Sequence, residues 1–274
     1  MKINDHAETF YQDGRVEQSR PDTKPVVCLV ANRAVGTGKS TIASCLLALP
    51  LNATIYALDS VMRLAPALNG VAVKKHSPDT MVEMRNEIAK AQRNTVVDVG
   101  ASYFSAFLEN PFTIDFIKIV DICVIVTDTT HRGQEESIAT YTTLKDLGME
   151  DRQFRLVLNR ARSFPAREQY EILFDYAEKN PSFVMNDKCL IPETDLFCGI
   201  DKNGQGFLEA LEDHEDYKPL IKRAKDDREK DAVDDLISRQ INHRMAMGIL
   251  CHFEECFKSL NIPSHLRVSV AQLA

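Results

Sequence analysis

The fold of this chain is decided by residues 26–41, which read VVCLVANRAVGTGKST. The first part, Val26 to Ala31, is a short apolar run rich in β-branched residues, as expected for a strand that is buried on both faces. The second part places Gly36 and Gly38 directly before a helix-like stretch from Lys39 to Leu49. A strand, a glycine-containing turn and a helix in this order predict the first unit of a parallel α/β sheet.

The turn has the residue types of a phosphate-binding loop. Two glycines allow backbone N–H groups to turn inward around a phosphate, and the helix that follows adds the positive end of its dipole. Lys39 is suited to neutralise β- and γ-phosphate oxygens, and the Ser40 hydroxyl is a natural Mg²⁺ ligand. We therefore expect ATP or GTP with Mg²⁺ to bind at Gly36, Thr37, Gly38, Lys39, Ser40 and Thr41.

Strand-like and helix-like stretches alternate after this loop. Strands are predicted at 53–58, 95–99, 119–127 and 154–158, and at either 183–185 or 189–191. Helices are predicted at 39–49, 81–93, 133–147 and 166–179. This alternation predicts an α/β fold with a mostly parallel sheet and helices on both faces.

The chain is expected to have three parts. Residues 1–24 form a polar N-terminal extension, and residues 25–210 form the α/β domain. From Gly204 onward the pattern becomes helical and highly charged, so residues 211–274 are predicted to be a helical C-terminal region with a tail.

Composition favours a protein of the cytoplasm. Seven cysteines without a CxxC pair suggest reduced, mostly buried thiols. No apolar leader and no membrane span are expected. A net charge of −7 argues against a surface that is basic everywhere, so any contact with nucleic acid has to come from a local patch. One arginine cluster is a candidate for such a patch, although scattered surface charges are the commoner explanation: Arg152, Arg155, Arg160, Arg162 and Arg167.

The loop departs from the usual pattern, which has a glycine five residues before Gly38, where this chain has Arg33. Its spacing resembles the loop of the ParA/MinD family of plasmid-partition and cell-division ATPases. In that family a signature lysine precedes two glycines, and those positions are occupied here by Ala34 and Val35. The lysine is thus replaced by alanine.

Other segments extend the resemblance over roughly residues 25–210. The strand that ends in Asp98 is similar to the family's strand whose acid binds Mg²⁺ through water, and Asp59 matches an acid near the attacking water. Alternatives from the residues alone are a strand-end cap for Asp98 and an N-cap for Asp59. The resemblance implies metal binding by Ser40 and Asp98.

The resemblance also implies a base-binding region. The segment that ends in Asn159 and Arg160 resembles the family's strand whose asparagine contacts the base, and Pro192 and Glu193 match the next strand, beside that base. An asparagine in an ordinary turn is the alternative for Asn159.

The function implied by the resemblance is an ATP-driven switch. Mg-ATP would promote a homodimer, the dimer would engage DNA or a DNA-bound adaptor protein, and slow hydrolysis would release it. Catalytic roles would fall to Lys39, Asp59 and Arg33, whose guanidinium is suited to phosphate and stands one residue before the missing lysine. A solvent-facing arginine is the alternative for Arg33.

Two other functions stay open on the sequence. A P-loop kinase or ligase would pass phosphate to a small molecule, with residues 65–78 as a candidate lid. A weakly hydrolysing nucleotide-binding scaffold would fit the absence of the signature lysine.

Overall fold

The computed structural model describes residues 24–59, 71–162, 165–202 and 204–262. Seven strands form one sheet in the order β3-β2-β4-β1-β5-β6-β7, and all neighbouring strands are parallel. The strands are β1 (Val27–Ala31), β2 (Thr54–Leu58), β3 (Val73–His76), β4 (Thr95–Val99), β5 (Ile122–Thr127), β6 (Phe154–Ala161) and β7 (Leu190–Pro192).

Helices connect the strands and cover the sheet. The first, α1, is continuous through Lys39–Thr41, a π-helical stretch Ile42–Ala48 and Leu49–Leu51. The others are α2 (Met81–Ala91), α3 (Ala101–Glu109), α4 (Thr113–Ile117), α5 (His131–Asp146), α6 (Ala166–Gln169), α7 (Glu171–Lys179), α8 (Leu196–Lys202), α9 (Phe207–Glu212), α10 (Tyr217–Asp226) and α11 (Lys230–Ser259).

The core has two layers because successive residues of each strand point to opposite faces of the sheet. Cys28 and Val30 lie on the face that packs against α1, α8, α9 and α11. Leu29 and Ala31 lie on the other face, with α2 to α7. The predicted parallel sheet with helices on both faces is confirmed.

Helix α11 contributes one side to the first layer. Its buried residues recur at the three- and four-residue spacing of a helix face: Ala246, Ile249, Leu250, Phe253, Cys256 and Phe257. Two hydrogen bonds fix its end to the sheet region, from Asn186 Nδ2 to Ser259 O at 3.1 Å and from Arg155 Nε to Leu260 O at 2.6 Å. Within the described residues, no helix is both long enough and apolar enough to cross a membrane.

Several elements differ from the sequence predictions. Strand β3 and the helices α3, α4 and α8 were not predicted, and the last strand is Leu190–Pro192, near the second of the two predicted alternatives. Residues 73–76, which belonged to the candidate lid, form the edge strand β3. Residues 65–70 of that candidate lie outside the described residues.

Candidate functional site

The predicted site residues gather at the carboxyl ends of the central strands. Strand β1 lies between β4 and β5. The connection that follows β1 leads to β2 on one side of β1, and the connection that follows β4 leads to β5 on the other side. Ligands of open α/β sheets bind at such a switch in strand order. Asp98 lies near the end of β4, Asp59 follows β2, and Asn159 lies near the end of β6.

The loop after β1 has a backbone that requires its glycines. Gly36 and Gly38 have φ angles of 82° and 90°, in the left-handed region that favours glycine. Gly38 O accepts the first helical hydrogen bond, from Ile42 N at 3.0 Å. The Thr37 side chain is buried, whereas Val35 is 80% exposed at the outside of the loop.

Asn32 anchors the start of the loop. Its Nδ2 donates to Val126 O at 2.8 Å and to Ser137 Oγ at 2.7 Å, and its Oδ1 accepts from Ala34 N at 2.8 Å. Asn32 therefore joins the loop to β5 and α5. Sequence reasoning missed this role, although an asparagine directly after a buried strand was a usable signal.

Lys39 is buried and its ammonium group lies inside the loop. Its Nζ donates to Ala34 O at 2.6 Å. Burial lowers the pKa of Lys39, while the carboxylates of Asp98, Asp59 and Asp128 act in the opposite direction. The three acids thus favour the charged form of the buried lysine.

Asp98 and Ser40 form the expected pair. Ser40 donates a hydrogen bond to the Asp98 carboxylate. Burial raises the pKa of Asp98 to about 6, against the lowering effects of Ser40 and Lys39. Asp98 Oδ1 is buried and has no hydrogen-bond partner among the described residues. A hydroxyl and an unsatisfied carboxylate oxygen are hard oxygen donors, so these residues fit Mg²⁺.

Two more acids lie near Lys39. Asp59 accepts from Ser102 Oγ at 3.3 Å and contributes to raising the pKa of Asp98. A Cβ on Gly100 would lie 2.6 Å from Asp59 Cγ, so Gly100 allows this close approach. Asp128 accepts from Thr130 N at 3.0 Å and was not predicted as a site residue. The alternative role of Asp59, as an N-cap, concerns residues outside the described ones.

Asn159 reaches the loop from β6. Its Nδ2 donates to Thr37 O at 2.8 Å, and the Asn159 side chain is buried. Its own carbonyl accepts from Tyr170 Oη at 2.7 Å. The side chain expected to contact a base is therefore bonded to the phosphate loop.

The remaining residues of the expected base region lie beside Asn159. The pairing of β6 with β7 is interrupted by a bulge between Asn159 and Ala161. Arg160 lies in this bulge, is exposed and has a φ of 60°. Glu193, next to the half-buried Pro192, accepts from Arg162 Nε at 2.8 Å. Thr41 is half-buried, and its carbonyl accepts from Ser44 Oγ at 3.1 Å.

Arg33 points to helix α5. Its Nε lies 3.4 Å from Glu136 Oε2, and its N donates to Thr140 Oγ1 at 3.1 Å. The neighbouring Ala34 is buried. The loop therefore presents an ion pair close to the place where the family pattern has its lysine.

Most of the predicted arginine cluster is used within the chain. Arg152 pairs with Glu150, Arg162 with Glu193, and Arg167 with Glu178. Arg155 donates to main-chain carbonyls, including Leu260 O. Arg155 and Arg160 form no ion pair within the part of the chain that the structure describes. Three of the five arginines of the cluster are thus paired with acids.

A parallel sheet with a glycine-lysine-serine loop after its central strand is the architecture of P-loop nucleoside triphosphatases. No protein-family model matches the sequence, and no curated protein matches it.

Solved structures of similar arrangement include three of the ParA/MinD type. The MinC:MinD complex of Aquifex aeolicus is 14% identical, with 81% of this chain and 96% of that chain covered and a TM-score of 0.42. Apo McdA of Cyanothece is 12% identical, with 79% of this chain and 99% of that chain covered and a TM-score of 0.45. A chain described as a putative plasmid partition protein of Borrelia burgdorferi B31, bound to AMPPNP, is 12% identical, with 80% of this chain and 98% of that chain covered and a TM-score of 0.42. Similarity at this level gives no argument about the ligands or partners of this chain.

Proposed function

We propose that the chain binds ATP with Mg²⁺ at the loop after β1 and hydrolyses it slowly, as a switch ATPase of the ParA/MinD type. One observation carries the proposal: the buried Lys39 lies in a left-handed glycine turn beside the Ser40–Asp98 pair, whose Oδ1 has no partner among the described residues. An unpaired buried carboxylate oxygen is costly unless a ligand completes it.

Each residue has a distinct task in this proposal. Lys39 leaves Ala34 O and bonds to the β- and γ-phosphate oxygens, because phosphate carries more negative charge than a carbonyl. Backbone N–H groups of the loop bond to the same phosphates. Bound Mg²⁺, held by Ser40 and Asp98, would neutralise charge on the transferring phosphate. Asp59 would help to place the attacking water, as the resemblance implies, because it follows β2, the strand next to β4 with Asp98.

The proposed biological role is plasmid or DNA partition or stability, on the basis of the sequence resemblance alone. ATP would promote a homodimer, and the dimer would engage an adaptor protein, DNA or both. Pairing of most of the arginine cluster favours contact through an adaptor.

Lys39→Ala tests the proposal. We expect the affinity for Mg-ATP to fall by about 10- to 100-fold, because a charge-assisted hydrogen bond to phosphate is lost. Lys39 belongs to neither layer of the apolar core, so the variant should still unfold cooperatively. The exposed Lys90→Ala is the matched control. Isothermal titration of both variants is the measurement, and an unchanged Lys39→Ala affinity would refute the assignment.

Adenine is the proposed base. The guanine signature Asn-Lys-x-Asp is absent after Leu158, where the chain reads Asn159-Arg160-Ala161-Arg162. We expect ATP to bind a few times more tightly than GTP in parallel titrations. Tighter binding of GTP would reverse the choice.

A weakly hydrolysing scaffold is the second candidate. It is favoured by the Arg33–Glu136 ion pair, because Arg33 is already paired with an acid and Ala34 has no charge with which to stabilise the transferring phosphate. Phosphate release by the purified protein separates the two candidates. Turnover indistinguishable from that of Lys39→Ala would establish the scaffold.

A further inference from the structure

The side-chain amide of Asn159 is committed to the phosphate loop. Its Nδ2 donates to Thr37 O at 2.8 Å, across 122 positions of sequence. A Cβ on Gly38 would overlap this amide, so a glycine at position 38 is required for the approach as well as for its φ of 90°. The two residues are fitted to each other.

We infer that Asn159 is a positioning residue that holds the phosphate loop in its binding conformation, rather than the residue that distinguishes one purine base from another. The inference rests on the proposed nucleotide-binding function and deepens it. It concerns the conformation of one peptide bond, between Thr37 and Gly38.

The geometry of that peptide explains the effect. In a trans peptide the C=O and the next N–H point in opposite directions. Since Asn159 holds Thr37 O on the β6 side, the Gly38 N–H points away from β6, as an amide of the phosphate cradle must. Glycine tolerates both signs of φ, so without the bond this peptide can turn over at low cost. A reversed peptide would present a carbonyl oxygen to phosphate.

Asn159 is itself held in place. Its carbonyl accepts from Tyr170 Oη at 2.7 Å. The bulge lies after Asn159, between it and the end of β6 at Ala161. Asn159 is 8% exposed. Little of the residue is thus accessible to a base, whereas its contact to the loop is already made.

Three ligands separate positioning from base recognition. ATP and GTP differ only in the base, and inorganic tripolyphosphate has no base. Each is titrated calorimetrically with Mg²⁺ into the wild-type chain, Asn159→Ala and Asn186→Ala. Asn186 is the matched control, since it also donates from Nδ2 to a main-chain carbonyl, Ser259 O, but lies before the amino end of β7.

For Asn159→Ala we expect ATP, GTP and tripolyphosphate to lose the same factor, about five- to tenfold, as for the loss of one hydrogen bond. The ratio of ATP to GTP affinity should stay at the wild-type value, and Asn186→Ala should change nothing. Reversible unfolding would also weaken all three ligands by one factor, so urea unfolding of Asn159→Ala is measured first and should show that the chain is folded without urea.

Two outcomes would overturn the inference. In the first, Asn159→Ala weakens ATP but not tripolyphosphate, or changes the ATP-to-GTP ratio, as a base contact requires. In the second, no affinity changes at all. Failure of the proposed function looks different, because the wild-type chain would then bind neither ATP nor tripolyphosphate, and both ideas would fall together.

Discussion

Asp98 links metal binding to stability. Its pKa is raised from 3.8 to about 6 by burial, so between these pH values the folded chain keeps a proton that the unfolded chain releases. Rising pH therefore favours unfolding through this window, and the full penalty remains above pH 6.

Asp98→Asn should consequently stabilise the chain at pH 7.5 without ligand, by about 1–3 kcal/mol, because the buried charge is removed. The gain should vanish at pH 4, where Asp98 is protonated in the folded state. Urea unfolding at the two pH values measures it. The same variant should bind Mg-ATP more weakly, and a stability gain of equal size at both pH values would contradict burial of the charge as the cause.

Arg33 is held by Glu136 in the isolated chain, which gives a way to test its proposed role. If Arg33 replaces the missing lysine across a dimer, Glu136→Gln should release it and increase ATP-dependent dimerisation and turnover, by at most about fivefold because exposed ion pairs are weak. Arg33→Ala should reduce both. Sedimentation velocity with ATP and a phosphate-release assay are the measurements.

Unchanged dimerisation and turnover in Arg33→Ala would show that Arg33 is only a surface charge. Glu135→Gln, a change at the exposed neighbour of Glu136, is the control for altered net charge.

Sequence reasoning predicted the residues of this site better than their partners. Lys39, Ser40 and Asp98 were expected together, since loop spacing and strand ends follow from a local pattern. Asn32 bonding to Ser137 and Asn159 bonding to Thr37 depend on contacts across about 100 positions, which no local pattern encodes.

At the scale of elements, α11 completes the core. Phe253 is 4% exposed and packs against Phe207, with ring centroids 5.6 Å apart. Phe253→Ala should lower the free energy of unfolding by about 3–4 kcal/mol, because it leaves a cavity. Ile241→Ala on the same helix should cost less than about 1 kcal/mol, since Ile241 is exposed. Chemical denaturation of both variants checks the contrast.

A similar loss in the two variants would mean that burial of Phe253 is not what α11 contributes to stability, because both substitutions raise helix propensity. A small loss in both would mean that the helix is not part of the cooperative unit.

The elements with a clear apolar pattern were predictable from the sequence, and those without one were not. Strand β4 was expected at its observed residues, and β1 within one residue, because both are continuous apolar runs. Strand β3 reads VKKH, and a short edge strand with two lysines lacks an apolar pattern. Helices α3 and α4 follow β4 in a stretch of aromatic and polar residues without a clear period.

At the scale of the whole molecule, the net charge bears on whether the chain contacts DNA directly. With a net charge of −7 and most of the arginine cluster paired, the purified chain should bind duplex DNA more weakly than about 10 μM at about 150 mM salt, with or without ATP. Fluorescence anisotropy with labelled duplex measures this. Tight, salt-sensitive binding by the chain alone would show that DNA is contacted directly.

Helix α1 has one further consequence. Its residues 42–51 are buried between the sheet and α11, and Asn32 and Asn159 already fix the loop before it. A ligand therefore meets a surface that needs no slow rearrangement before the first contact. Association should follow a single exponential whose rate rises linearly with ligand concentration, and differences in affinity among variants should reside in the lifetime of the complex.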